Sequence, residues 1–213
     1  CWEYNYRGYT VAWISNWENK KGISEKVKHI QIEDLLERNP IILDNKTISK
    51  DLKDKTILIT GAAGSIGSEI VRQVIQFKPH SIVLVDQGET PLHQLTLELE
   101  TKATESNIHS VIADVRNKEV MRRVFRTYSP QVVYHAAAYK HVPLMEENPS
   151  QAIQTNVEGT KNVADLACEF KVKKFVMVST DKAVNPSNVM GASKRIAEKY
   201  VQSLQLRSVK ENN

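Results

Sequence analysis

The sequence predicts an α/β fold, a doubly wound parallel sheet with helices on both faces, behind an irregular N-terminal extension. Three observations predict it. Five short apolar runs recur along the chain, helical periodicity fills each gap between them, and a glycine-rich loop joins the first run to the first helix. The runs are KTILIT (55–60), SIVLVD (81–86), SVIAD (110–114), QVVYHAA (131–137) and KFVMVST (174–180). Their continuous, β-branched character suits strands buried on both faces.

Each connection carries one apolar stripe at helical spacing. Ile66/Ile70/Val74 give the first, Leu92/Leu95/Leu99 the second, Val120/Val124/Tyr128 with Met121/Phe125 the third, and Ile153/Val157/Ala164/Ala167 the fourth. Thr90 before Pro91 reads as a helix start, with Thr as the cap and proline in the first turn, where no amide hydrogen is missed. Strands that alternate with helices run parallel, and right-handed crossovers wind them into one covered sheet.

Composition narrows the class further. Lys and Arg number 29 against 25 Asp and Glu, a formal charge of +4. With no run of five like charges, this speaks against a nucleic-acid or membrane-surface role. The hydrophobic fraction of 41 % supports one packed core and excludes a disordered chain. Cys1 and Cys168 form neither a disulfide framework nor a zinc pattern, so no metal site is expected and a reducing, cytoplasmic setting fits. No stretch reaches the roughly 20 apolar residues of a membrane span. Residues 1–54 read as a lead-in segment and 55–213 as the sheet domain. The aromatic-rich opening (Trp2, Tyr4, Tyr6, Tyr9, Trp13, Trp17) carries no assignment.

Ligands of doubly wound sheets sit beyond the carboxyl ends of the strands. The first strand runs into Gly61, Gly64, Ser65, Ile66 and Gly67, a G-x-x-G-x-x-G loop opening a helix. Such a loop allows a tight turn, contact between backbone and pyrophosphate, and a helix whose amino terminus attracts anions, the Rossmann-like arrangement. A plain turn would use the same glycines. The second strand ends at Asp86, placed to accept hydrogen bonds from an adenosine ribose; Gln87, Gly88 and Glu89 add no cation for a 2′-phosphate, which favours NAD over NADP. Asp114 and Val115 end the third, facing an adenine or, for Asp114, capping the helix that starts near Asn117. Ala136, Ala137 and Ala138 after His135 are small enough for a cofactor to pass close by. Asp181 and Lys182, after Ser179 and Thr180, form an adjacent opposite-charge pair able to share a proton, with partial burial expected to move both pKa values. An exposed turn pair is the alternative.

The stretches TGAAGSIGSE, ADVRN, VYHAAAYKHVPLMEENP, TNVEGTKNVADLA and VSTDKAVNPSNVMGASK resemble the extended short-chain dehydrogenase/reductases that act on nucleotide sugars. Within these they are most similar to the polysaccharide-biosynthesis branch, the UDP-N-acetylglucosamine 4,6-dehydratases, over residues 29–205. The resemblance implies a catalytic edge of Thr180, Asp181 and Lys182, with Lys194 holding the nicotinamide ribose and Lys140 and His141 at the UDP-sugar substrate. Met190 stands where the wider superfamily keeps the tyrosine of a Tyr-x-x-x-Lys pair. Methionine cannot shuttle a proton, and the branch resembles this chain in carrying that substitution.

The implied reaction is an internal redox cycle. Hydride passes from sugar carbon 4 to NAD, Lys182 removes the proton from carbon 5, Asp181 releases the carbon 6 hydroxyl as water, and hydride returns to carbon 6. A related epimerase or reductase, or a non-catalytic NAD-binding fragment, are the alternatives. The resemblance also implies a homo-oligomer, and relatives tethered to the inner membrane by upstream helices. The chain starts at Cys1 and ends at Asn213, so the region that would grip the UDP-sugar is expected to lie outside it.

Overall fold

The structure, a computed structural model, describes residues 45–101 and 106–211. The aromatic opening and most of the lead-in lie outside the described residues. Five strands form the sheet: β1 (Thr56–Thr60), β2 (Ser81–Asp86), β3 (Asn107–Ile112), β4 (Val132–His135) and β5 (Lys174–Met177). The main helices are α1 (Asn45–Leu52), α2 (Ser65–Val74), α3 (Glu89–Thr101) and α4 (Lys118–Tyr128). They are followed by α5 (Val142–Glu147), α6 (Pro149–Ala152), a π-helix (Ile153–Gly159), α7 (Thr160–Glu169) and α8 (Val189–Glu211). All pairs are parallel in the order β3-β2-β1-β4-β5.

The strand pleat sorts the apolar runs into two cores. Ile57, Ile59, Ile82 and Leu84 pack with Val71 and Val74 of α2 and Leu92, Leu95 and Leu99 of α3. Leu58, Val83, Val85 and Val133 pack with Met121, Val124 and Phe125 of α4 and Val163 and Leu166 of α7. Since alternate residues of a strand point to opposite faces, the two cores are the two faces of a doubly wound sheet. Each buried aliphatic side chain contributes about 1.5–3 kcal/mol. Leu52 of α1 joins the first core, and the compact unit begins at Asn45; the boundary read from the sequence, after residue 54, falls beyond this helix.

Several local expectations are corrected. β3 starts at Asn107 and β5 is short, and both mix exposed with half-buried residues, because each lies at an edge of the described sheet. The buried stripe of α2 is Gly67/Val71/Val74, while Ile66 is 53 % exposed. Glu89, not Thr90, opens α3, and the Leu92 amide bonds back to the Gly88 carbonyl. In the fourth connection Ala164 and Ala167 are buried as expected, but Ile153 is exposed and Val157 half-buried, and the burial there falls on Ala152, Thr155, Asn156, Gly159 and Thr160. The π-helix explains this: its wider turns break the 3.6-residue stripe that an α-helix would keep.

Candidate functional site

The chain winds outward from β1 through β2 to β3 and then returns to β4 on the other side of β1, so β1 and β4 frame the crevice at their carboxyl ends. Gly61 follows β1 with φ +65°, and a Cβ there would lie 2.6 Å from the Ala137 nitrogen. At Gly67 a Cβ would lie 1.9 Å from the Gly61 carbonyl oxygen. The glycine loop, α2 and the end of β4 therefore interlock without room for side chains. Gly64 at the start of α2 supplies no side-chain cap, which leaves first-turn amides and the positive end of the helix dipole for an anionic ligand.

Two clefts open at this edge. One of about 240 Å³ is lined by Gly61, Gly64, Asp86, Asp114, Val115 and Thr155 among others. The second, about 310 Å³, is lined by Ile66, Lys140, Thr180, Lys182, Met190 and Lys194 among others. Ala136, Ala138 and Tyr139 line both, while Ala137 lines the first.

The Asp86 carboxylate ties the second strand end to the glycine loop, accepting from the Ala63 and Gly88 amides, each at 2.9 Å. Asp114 accepts from the Arg116 amide at 2.9 Å and from Arg116 Nε at 2.7 Å. The guanidinium hydrogen bond holds Asp114 below the ordinary carboxylate range. The capping alternative for Asp114 fails, because Asn117 caps α4 through its side chain, accepting from the Val120 amide.

In the second cleft Lys194 is 5 % exposed and donates from Nζ to the Val178 carbonyl at 2.7 Å. Burial pulls its pKa down to about 8, with Glu198 opposing. Met190 is buried against Met145 and Ala152. Lys140 bridges to the first turn of α2, its Nζ 2.7 Å from Ser65 Oγ. His141 is exposed and lines neither cleft.

The pair beside Thr180 differs from expectation. The Asp181 side chain is 86 % exposed and accepts from Thr180 Oγ1 at 2.9 Å and from Lys182 Nζ at 3.4 Å. Its pKa lies below the ordinary value because of the Thr180 hydroxyl first and Lys182 second, and not because of burial.

Sequence reasoning assigned no role to a buried polar chain behind the site. His135 is fully buried, with Nδ1 2.7 Å from Thr60 Oγ1 and Nε2 2.9 Å from Thr160 Oγ1. Thr160 gives its own proton to the Asn156 carbonyl, so His135 donates from Nε2 and accepts from Thr60 at Nδ1. The Asn156 side chain clamps the Tyr139 amide and carbonyl and donates to Ser193 Oγ at 3.0 Å. Hydrogen bonds thus run from the end of β1 to the helix that carries Lys194. The available signal was the polar trio Thr155, Asn156 and Thr160 within TNVEGT, at positions where a core-facing helix would be apolar.

The sheet order, glycine loop and buried lysine are those of the short-chain dehydrogenase/reductase fold. The family model described as "Polysaccharide biosynthesis protein" matches residues 57–213. The capsular polysaccharide biosynthesis protein CapD of Staphylococcus aureus is 56 % identical over 84 % of this chain and 30 % of its own length. An inverting UDP-N-acetylglucosamine 4,6-dehydratase of Campylobacter jejuni is 40 % identical over 68 % of this chain and 42 % of its own. A UDP-glucose 4-epimerase of Rickettsia canadensis is 36 % identical over 74 % and 46 %. The solved structure of Pen from Bacillus thuringiensis superposes with a TM-score of 0.67 at 37 % identity, covering 72 % of this chain and 47 % of that one. The chain belongs to the polysaccharide biosynthesis protein family. It spans less than half the length of each of these relatives.

Proposed function

We propose that this chain forms the NAD-binding and catalytic part of a nucleotide-sugar 4,6-dehydratase of the UDP-N-acetylglucosamine type, acting in the cytoplasm in glycan biosynthesis. The observation that carries the reading is the second cleft, where Met190 takes the tyrosine position beside buried Lys194 and leaves Thr180 and Lys182 on the wall, with exposed Asp181 between them in the chain, as the proton-handling groups. The glycine cradle fits a dinucleotide. Gly61, Gly64, Ser65, Ile66 and Gly67 would hold the pyrophosphate on the α2 amides, Asp86 the adenosine ribose, Asp114 and Val115 the adenine side, and Lys194 the nicotinamide ribose. Ala136 to Ala138 would form the floor. Bound NAD supplies a hydride acceptor for sugar carbon 4 and a donor for carbon 6.

The remaining chemistry belongs to the chain. At the rim, the exposed Asp181 Oδ1 lies 3.4 Å from Lys182 Nζ. A sugar seated over the pair would exclude water from it, and desolvation favours the neutral forms of both groups. Lys182 is then a base for the carbon 5 proton, and Asp181 an acid for the departing carbon 6 hydroxyl. Lys140, which also lines this cleft, would meet the substrate.

The test is incubation of the protein with NAD and UDP-N-acetylglucosamine, followed by mass spectrometry. A product lighter by one water supports the reading, and Asp181→Asn or Lys182→Ala lowers its formation about 100-fold or more. An isomer of unchanged mass supports the epimerase reading, which the Rickettsia relative favours and Met190 opposes. NAD binding without turnover leaves a binding fragment.

A further inference from the structure

Lys194 is an ammonium placed where a charge is costly. It is buried, and its Nζ donates to an uncharged group, the Val178 carbonyl. Burial without a compensating negative charge drives such a group to give up its proton. Most ionisable groups around it offer no such compensation. Lys140, Lys182 and Tyr139 line the same cleft, exposed Asp181 is turned to Lys182, and His135 behind the cleft is uncharged, its pKa pulled to about 3 by burial first and Lys194 second.

Glu198 differs from these. It lies one turn beyond Lys194 on α8, where side chains four residues apart are neighbours, and its charge acts on Lys194 against the effect of burial. Both carboxylate oxygens are held, for Ser179 Oγ donates to Oε1 at 2.5 Å and Arg195 Nη1 to Oε2 at 3.2 Å. The Ser179 hydrogen bond is the main cause that keeps this carboxyl below its ordinary range, so Glu198 stays ionised. Two consecutive residues past the end of β5 are thus tied to α8, Val178 by Lys194 and Ser179 by Glu198. Helix stability does not account for the arrangement, because Lys ahead of Glu at this spacing is the weaker order along a helix. We propose that Glu198 is a positioning residue for Lys194: anchored by Ser179, its carboxylate keeps the buried ammonium protonated at neutral pH and α8 seated on the strand end. On the reading above, the charge so retained is the one that meets the nicotinamide ribose. The inference rests on that reading for this consequence alone, and its test needs no ligand.

The protein is labelled with carbon-13 lysine, and the Lys194 Cε resonance, assigned by its loss in Lys194→Arg, is followed by NMR from pH 6 to 11. The parent midpoint is expected at about 8, with the charged form below it. Glu198→Gln keeps the shape and removes the charge, and is expected to move the midpoint lower by about one pH unit. Glu198→Asp keeps the charge and should restore most of that difference, while Ser179→Ala frees the carboxylate without removing it and should give an intermediate fall. An unchanged midpoint in Glu198→Gln overturns the proposal. An equal fall in Glu198→Asp and Glu198→Gln overturns it as well, since that would mark lost packing and not lost charge. Urea unfolding checks that each variant is folded; should Glu198→Gln not fold, an unchanged midpoint in Ser179→Ala overturns the proposal in its place. Calorimetric titration of the parent with NAD is read separately, and absence of binding there overturns the dinucleotide reading while the Lys194 titration stands.

Discussion

At His135 both ring nitrogens are taken, one accepting from Thr60 and the other donating to Thr160, and complete burial pulls the pKa from 6.5 down to about 3. The native state therefore refuses a proton that the unfolded chain accepts below pH 6.5. Stability is intact above that pH and falls as pH drops from 6.5 toward 3, by about 2 kcal/mol at pH 5. Urea midpoints measured from pH 7.5 to 4.5 should show this slope, and His135→Gln should flatten it. Residue chemistry was legible where the residue type carries it alone: the glycine spacing, the lone carboxylate of Asp86, and a lysine four residues beyond Met190. Asp181 was legible as an ionisable group, but its exposure was not, because solvent access depends on what packs beside it. The polar trio in TNVEGT signalled a buried polar connection, but not which groups it joins, since neither a strand histidine nor a helical threonine announces whether it finds a partner.

Elements position these residues through a few close approaches. α8 begins at Val189, and Asn188 Oδ1 accepts from the Gly191 amide at 2.7 Å. A Cβ at Gly191 would lie 2.3 Å from the Lys182 carbonyl oxygen, so α8 rests directly on the 3₁₀ turn Asp181–Ala183. Gly191→Ala must push that turn away. It is expected to cost about 1–3 kcal/mol in urea unfolding and to lower water elimination far more than NAD affinity, as enzyme assay and calorimetry can establish. The central strands were readable because both faces are buried and their interiors are continuous apolar runs, whereas the polar start of β3 could not be told from a loop. The π-helix was unreadable because its period arises from packing of Asn156 and Thr160 against β4 and α8, not from local preference.

Over the whole molecule the two clefts are one feature divided by a shared wall of Ala136, Ala138 and Tyr139. On the proposed reading the dinucleotide spans both, its adenosine half in the first and its nicotinamide ribose beside Lys194 in the second, where the sugar would meet it. Ala138→Leu narrows both, and should weaken NAD and UDP-sugar binding together, each about 10-fold or more, with little change in the urea midpoint because Ala138 is only half-buried. Titration with each ligand separately checks this, and loss of one affinity alone would show that the clefts act independently.

By itself the sequence determined the order of β and α units, hence a parallel doubly wound sheet, and the strand ends that line its two clefts. These follow from short-range patterns: apolar runs, helical stripes and glycine spacing. Only the tertiary structure decided, among the described residues, which strands are edges, which face of α2 is buried, that Asp181 stands in solvent, and that Thr155 Oγ1 has no hydrogen-bond partner. Each depends on groups distant in the chain, as Thr60 and His135 are at 75 residues apart, and no local period encodes whether such groups meet.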